Sequence, residues 1–284
     1  MHLSVFVSSK CFCQCLGCYS YSREEELGSY LQDKYIIDFL TYAFKNGVNK
    51  VTLCGGDPLL RKNILDLIYK IKKIGYIINL DTVGTSIIEK MDDDKRFIPV
   101  DVKKLSQLVD MIGIPIDGSN DVIINYFRNY HNNIYREQLK ICDILNENEA
   151  NICINTVIHK KNLDDIDNII KTINNLNYIK KWQVFQFIPM GKFGNKNKEK
   201  FEISAFDFEK VKNKISKNII NKNLTIDFKS IKDRNKLYIL VDNSGFCRIT
   251  SIETENSECY NIIGNIKNKE DWKTICSYLG VKEK

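Results

Sequence analysis

Residues 11–19 read Cys11-Phe12-Cys13-Gln14-Cys15-Leu16-Gly17-Cys18-Tyr19. Four of the ten cysteines of the chain fall inside these nine residues, and Cys11, Cys15 and Cys18 stand in C-x3-C-x2-C spacing. At this cysteine frequency such a triplet arises by chance in roughly one chain in a hundred. The stretch follows a short β-like run, residues 3–8, and the C-terminal end of a strand is where α/β sheets and barrels place their active sites. Three thiolates on one short loop suit a [4Fe–4S] cluster with one iron left free of protein ligands. That iron can chelate the amino and carboxylate groups of a methionine-type ligand. A zinc site or a set of reduced core thiols is the plainer reading. Zinc prefers two separated pairs, and only Cys15 and Cys18 form a C-x2-C.

Working outward, the chain has 284 residues, 42 Lys and Arg against 36 Asp and Glu, and a net charge of +6. With 43% hydrophobic and 27% charged residues it reads as soluble and globular. The length admits one large α/β domain, or one domain with an appendage. A disulfide scaffold would be short and secreted. The longest apolar runs, residues 76–78 and 237–241, are too short to span a bilayer. Residues 1–9 lack the basic and apolar regions of a signal peptide. A cytoplasmic protein with no membrane partner is expected. The mild positive charge allows an anionic small molecule or a peptide, and no basic stripe points to a nucleic-acid polymer.

Strand-like and helix-like segments alternate. Residues 3–8, 50–53, 76–81, 109–116, 151–158 and 182–188 read as strands. Residues 34–45, 64–74, 135–146, 163–176 and 206–219 have helical periodicity, with Gly47 and Gly75 as stops. Strands separated by helices imply parallel βαβ units and an α/β fold. Six such units predict a partial (β/α)6 barrel over residues 1–220. The last quarter, residues 221–284, reads as a small β-containing appendage that covers the barrel, with strands at 237–241 and 246–249 and a final helix near 269–279.

The second strand leads into Gly55-Gly56-Asp57-Pro58. Glycines allow close backbone approach and the proline fixes the turn. The cysteine triplet, the aromatic Tyr19 after it and this glycine turn one βα unit later together resemble the signature of the radical S-adenosylmethionine (radical SAM) superfamily. The resemblance implies that Cys11, Cys15 and Cys18 ligate the cluster. It implies that Tyr19, Gly55, Gly56 and Asp57 help seat S-adenosylmethionine, with Asp57 where Glu is commoner. Asp117 follows the fourth strand, and Arg128 lies eleven residues later. The family reading makes Arg128 a contact to the methionine carboxylate, with a surface ion pair as the bland alternative. Thr85 and Asn155 are candidate ribose or methionine contacts. Reductive cleavage of S-adenosylmethionine would give a 5′-deoxyadenosyl radical that abstracts hydrogen from a substrate. An electron donor of the flavodoxin or ferredoxin type is implied. Cys13 is an intruder that most of the superfamily lacks.

Ile154-Asn155-Thr156-Val157-Ile158 with Asn162, then residues 181–186, 201–204 and 237–242, resemble viperin-like enzymes in order and spacing. Viperin-like enzymes convert CTP to its 3′-deoxy-3′,4′-didehydro form, so a nucleotide triphosphate is the first substrate class. Ordinary buried strands would look similar. After the cluster this chain carries Ser20-Tyr21-Ser22-Arg23-Glu24-Glu25-Glu26. Arg23 stands where a lysine is expected and suits a phosphate, whereas three glutamates beside it oppose one. Lys192, in a basic stretch from 192 to 200, is a second candidate phosphate contact or a solvated loop residue. The tail, with Asp242-Asn243-Ser244-Gly245 followed by Cys247 and then Gly264-Asn265-Ile266, resembles the appendage of radical SAM peptide maturases, which makes peptide modification the alternative; its cysteines are Cys247, Cys259 and Cys276. Those three widely spaced cysteines read as structural rather than as ligands of an auxiliary cluster. His2, His131 and His159 form no catalytic pattern. A non-catalytic, cysteine-rich zinc module is the remaining alternative.

Overall fold

The computed structural model describes residues 2–19, 30–88, 98–235, 237–250 and 260–280. Along strand β6 (Lys181–Gln186) burial alternates. Trp182 and Val184 are fully buried, while Lys181, Gln183 and Phe185 are half-buried. A period of two means that the strand has two different faces. One face packs under helices and the other lines a lumen.

The alternation recurs in β3 (Ile77–Asp81) and in the second half of β5 (Ile152–Ile158), whereas β1 (His2–Ser8), β2 (Lys50–Gly55), β4 (Met111–Pro115), β7 (Thr225–Lys229) and β8 (Tyr238–Val241) do not alternate strictly. These strands form one sheet with β9 (Phe246–Thr250) and β10 (Tyr260–Asn265), in the order β10-β9-β8-β1-β2-β3-β4-β5-β6-β7. Every pair from β8 through β1 to β7 is parallel. β9 and β10 add antiparallel pairs. The sheet ends at β7 and β10, so it is an open barrel among the described residues.

The expected α/β partial barrel is present. Its six strands are joined by β7, which the sequence pattern does not place, and by β8, which it places in the appendage. β7 adds to β6 with Thr225 opposite Lys181. The segment near 237–241, expected in the appendage, becomes β8 and pairs in parallel with β1, His2 opposite Tyr238. One continuous sheet therefore crosses the boundary expected at residue 220.

Helices α1 (Asp33–Lys45), α2 (Ile64–Ile74), α3 (Val102–Leu108), α4 (Asp121–Arg128), α5 (Ile134–Glu147), α6 (Ile166–Asn175), α7 (Gly191–Lys196), α8 (Lys198–Phe201), α9 (Ala205–Asn218), α10 (Ile231–Arg234) and α11 (Trp272–Tyr278) complete the chain. In α2, Ile64, Leu67, Ile68 and Ile71 are buried at helical spacing in the main core, which also holds Leu53, Ile78 and Leu80 of the strands. Each such side chain contributes about 1.5–3 kcal/mol on burial. Gly75 ends α2 at φ +112, a left-handed conformation that glycine adopts without strain. Helices α3 and α4 are absent from the sequence reading, although each has its capping residue. Asp101 accepts from the Lys104 amide, and Asn120 accepts from the Ile123 amide. Trp272 of α11 rests on Phe39 and Tyr42 of α1 and donates to the Ile266 carbonyl at 2.7 Å. Cys247 and Cys276 lie in this same apolar core, and burial raises both thiols. Cys259 lies outside the described residues.

Candidate functional site

The cysteine loop is fixed from three directions. The Gln14 and Leu16 amides donate to the Arg128 and Phe127 carbonyls at 3.1 and 2.8 Å, joining the loop to the end of α4. Asn197 donates to the Leu16 carbonyl at 2.9 Å. Gly17 lies against the Phe127 ring, where an added Cβ would sit 2.3 Å from a ring carbon. So held, Cys11, Cys13, Cys15 and Cys18 all line one cavity of about 360 Å³ that runs from the first residues of the strands, such as His2 and Lys50, to the loops at their C-terminal ends. Cys13 is fully buried and interacts with both Cys11 and Cys15, which pushes its thiol well up. The contact from Cys13 lowers Cys15 to about 6 against the effect of burial, with Arg128 assisting.

The glycine turn packs onto this loop. The Gly56 amide donates to the Ser8 carbonyl at 2.7 Å and the Asp57 amide to the Lys10 carbonyl at 2.6 Å. A Cβ on Gly56 would lie 2.1 Å from the Lys10 oxygen, and one on Gly55 would lie 2.5 Å from the Ser8 oxygen. The glycines therefore let two loops meet backbone to backbone at the cavity wall, which both of them line. Asp57 is wholly buried behind that wall. It accepts from Leu59 N at 3.0 Å, Thr82 Oγ1 at 2.6 Å and Val83 N at 3.1 Å, and so ties the turn to the end of β3. Burial raises its carboxyl, while those donors oppose the rise.

Arg128, the last residue of α4, lines the cavity. Its Nε donates to Asp117 Oδ2 at 2.5 Å and its Nη1 lies 3.7 Å from the Cys15 sulfur. Asp117 is fully buried, does not line the cavity, and also accepts from the Val157 amide at 2.7 Å. Asn155 and Tyr19 line the cavity. Thr85 does not; it donates to Glu137 Oε1 at 2.6 Å, on a carboxylate that also bonds His131 Nε2. Lys192, in the first turn of α7, is not a lining residue. Arg23 lies outside the described residues.

The sequence matches the radical SAM superfamily over residues 5–173. The chain belongs to the radical SAM superfamily. It is 25% identical over 220 residues to an S-adenosylmethionine-dependent nucleotide dehydratase of Flammeovirga pacifica, an alignment covering 76% of this chain and 69% of that one. It is 28% identical over 179 residues to an uncharacterised protein of Methanocaldococcus jannaschii, covering 60% of this chain and 57% of that one. In fold it resembles Streptococcus suis SuiB bound to S-adenosylmethionine, with a TM-score of 0.69 and 14% identity over 95% of this chain. The chain spans 64% of the length of SuiB. It also resembles anSMEcpe with bound AdoMet, with a TM-score of 0.67, 16% identity, and 98% and 82% of the two chains covered.

This radical SAM protein is thus an enzyme that uses S-adenosylmethionine, in a superfamily that uses a [4Fe–4S] cluster. Membership overturns the reading as a non-catalytic zinc module. Among the described residues no three His, Cys, Asp or Glu side chains gather as a metal-ion site. A mononuclear ion needs donors converging on one point. The thiols of Cys11, Cys15 and Cys18 line one cavity and fit a cluster, which takes each thiolate on a separate iron. No helix among the described residues is long and apolar enough to cross a membrane.

Sequence reasoning missed the polar floor of the radical SAM lumen. Lys50, Asp81, Lys181, Gln183, Asp227, Lys229 and Arg234 all line the cavity. Asp227 bridges Lys181 at 3.2 Å and Lys229 at 2.9 Å. The two lysines lower its carboxyl, outweighing burial. Arg234 donates to the Gln186 carbonyl and lies over the Phe185 ring at 5.5 Å, and burial lowers it to about 10. The available signal was the polar residue at every second position of β3 and β6, where a strand covered on both faces by apolar layers would be apolar throughout.

Proposed function

We propose that this enzyme cleaves S-adenosylmethionine reductively and acts on a nucleoside triphosphate, with CTP as the first candidate. The carrying observation is charge. Among the described residues Lys50, Arg128, Lys181, Lys229 and Arg234 line the cavity against two carboxylates, Asp81 and Asp227. The dehydratase relative supports the same substrate class. Cations in a low-dielectric lumen hold an anion more strongly than they would in water, and Lys181 and Lys229 already share their single carboxylate partner.

The chain's residues have the following proposed parts. Cys11, Cys15 and Cys18 hold the cluster, and Cys13 packs between them without ligating. Arg128, aimed by Asp117, takes the methionine carboxylate. Gly55 and Gly56 bring backbone close to the methionine end, and Asp57 holds their turn in place. Tyr19, whose carbonyl accepts from the Tyr260 hydroxyl at 3.1 Å, covers the mouth and excludes water. Held by Cys11, Cys15 and Cys18, a [4Fe–4S] cluster would supply the one-electron reduction that splits the sulfonium of S-adenosylmethionine and releases a hydrogen-abstracting 5′-deoxyadenosyl radical. The electron comes from a donor of the flavodoxin or ferredoxin type.

The test is 5′-deoxyadenosine formation by the anaerobically reconstituted enzyme with S-adenosylmethionine and dithionite. Strong stimulation by CTP over other small anions is expected. Cleavage that no nucleotide stimulates would overturn the nucleotide reading and move the search to peptides.

A further inference from the structure

Asp81 ends β3 and lines the lumen, yet it belongs to no part of the machinery assigned above. Its Oδ1 accepts from Asn155 Nδ2 at 2.9 Å. That bond crosses β4, and the strand between the two residues carries Gly113 opposite Asp81. A Cβ on Gly113 would lie 2.1 Å from Asp81 Oδ1 and 2.6 Å from Asn155 Nδ2. The bond therefore exists because β4 has no side chain there. The Asn155 amide is oriented in turn, since its Oδ1 accepts from Gln183 Nε2 at 3.2 Å. Asp81 Oδ2 takes no hydrogen bond from the described residues, and it is not a sealed atom: it opens on the cavity.

No cation pairs with this carboxylate among the described residues. The lumen cations stand elsewhere. In register, Asp81 faces Gly113, Gly113 faces Cys153 and Cys153 faces Lys181. Asp81 and Lys181 thus share one layer, three strand spacings or about 14 Å apart along the sheet, and barrel curvature turns them toward a common space. The lumen is polarised, with an acceptor at β3 and, across it, Lys181 of the same layer joined through Asp227 to Lys229. A ligand that fits it has hydroxyl donors at one end and anionic groups at the other.

We infer that Asp81 is a specificity-determining residue that accepts a hydrogen bond from a ribose hydroxyl of the nucleotide substrate, selecting ribonucleotides over deoxyribonucleotides. The inference rests on the nucleotide reading. A carboxylate acceptor suits vicinal hydroxyls, and a site built around a carboxylate oxygen that only the ligand satisfies rejects an analogue lacking the donor. Burial pushes the Asp81 carboxyl up to about 6 against the Asn155 bond, which agrees with a carboxylate that has an oxygen left for a ligand.

The experiment compares CTP, 2′-deoxy-CTP and 3′-deoxy-CTP on the anaerobic holoenzyme of wild type, Asp81→Asn and Asp81→Ala. Dissociation constants come from calorimetry, with iron content and S-adenosylmethionine affinity measured alongside. A charge-assisted bond of this kind corresponds to roughly 10- to 100-fold in affinity. Wild type is expected to prefer CTP to at least one deoxy analogue by that factor. Both variants are expected to lose the preference, with iron content and S-adenosylmethionine affinity unchanged. Retained discrimination in both variants overturns the inference and leaves the nucleotide reading standing. A loss confined to S-adenosylmethionine binding places Asp81 on the cofactor's ribose and equally overturns it. Failure of wild type to bind any of the three nucleotides overturns the nucleotide reading, and this inference with it.

Discussion

Arg128 and Asp117 form a buried ion pair that aims the arginine. The 2.5 Å bond from Nε to Asp117 Oδ2 occupies one edge of the guanidinium and leaves Nη1 3.7 Å from the Cys15 sulfur. Asp117 is itself held by the Val157 amide. Removing one partner of such a pair strands the other charge and costs about 3–5 kcal/mol. Asp117→Ala is expected to lose stability of that order in chemical unfolding and to weaken S-adenosylmethionine binding at least tenfold. An Asp117→Ala protein that binds S-adenosylmethionine as wild type does would remove Asp117 from any positioning role.

Cys13 separates a packing thiol from a ligand. Cys13→Ala is expected to reconstitute with wild-type iron and sulfide, whereas Ser in place of Cys11, Cys15 or Cys18 leaves the protein nearly free of iron. Iron assay and the spectrum of the reduced protein read this directly. If Cys13→Ala loses iron while Cys11→Ser retains it, the first ligand is Cys13 rather than Cys11.

Gly113 admits no side chain. Gly113→Ala drives a methyl group into the Asp81–Asn155 bond, and overpacking of this kind costs about 1–3 kcal/mol. Thermal unfolding should show that loss, and Asn155→Ala in the same chain should relieve part of it because Nδ2 is one of the two atoms in the way. Equal losses in both backgrounds would show that the clash lies elsewhere.

Asp81 also makes a pH prediction. Burial raises its carboxyl from 3.8 to about 6. A folded-state value above the unfolded one means that ionisation opposes folding, so the destabilisation is full above about 6 and vanishes as pH falls below 3.8. Asp81→Asn is therefore expected to be more stable than wild type at pH 7.5, by up to about 3 kcal/mol. The gap should close between pH 6.5 and 4. Guanidinium unfolding at four pH values measures it, and a gap constant with pH would contradict the assignment.

Much of the fold was legible. The strands from residue 3 to residue 188 and the helices over 64–74 and 206–219 carry their periodicity locally, so the partial barrel followed from pattern. β7 escaped because a strand of five residues has too few alternations to stand out beside its neighbour β6; β8 is legible as a strand, and only its parallel pairing with β1 decides that it joins the barrel rather than the appendage. Helices α3 and α4 escaped for the same reason of length, which hid that Arg128 ends a helix and meets the cysteine loop.

By itself the sequence determined the chemistry class: the Cys11, Cys15 and Cys18 spacing and the Gly55-Gly56 turn are short-range patterns, complete within one loop each. Tertiary structure alone decided what those patterns face. It placed Asp57 and Thr85 behind the wall and brought Asp81, Lys181, Asp227, Lys229 and Arg234 into one lumen. These residues lie as far as 153 positions apart, and only the parallel register of separate strands, set by burial of their alternate apolar side chains under the helices, turns them inward together.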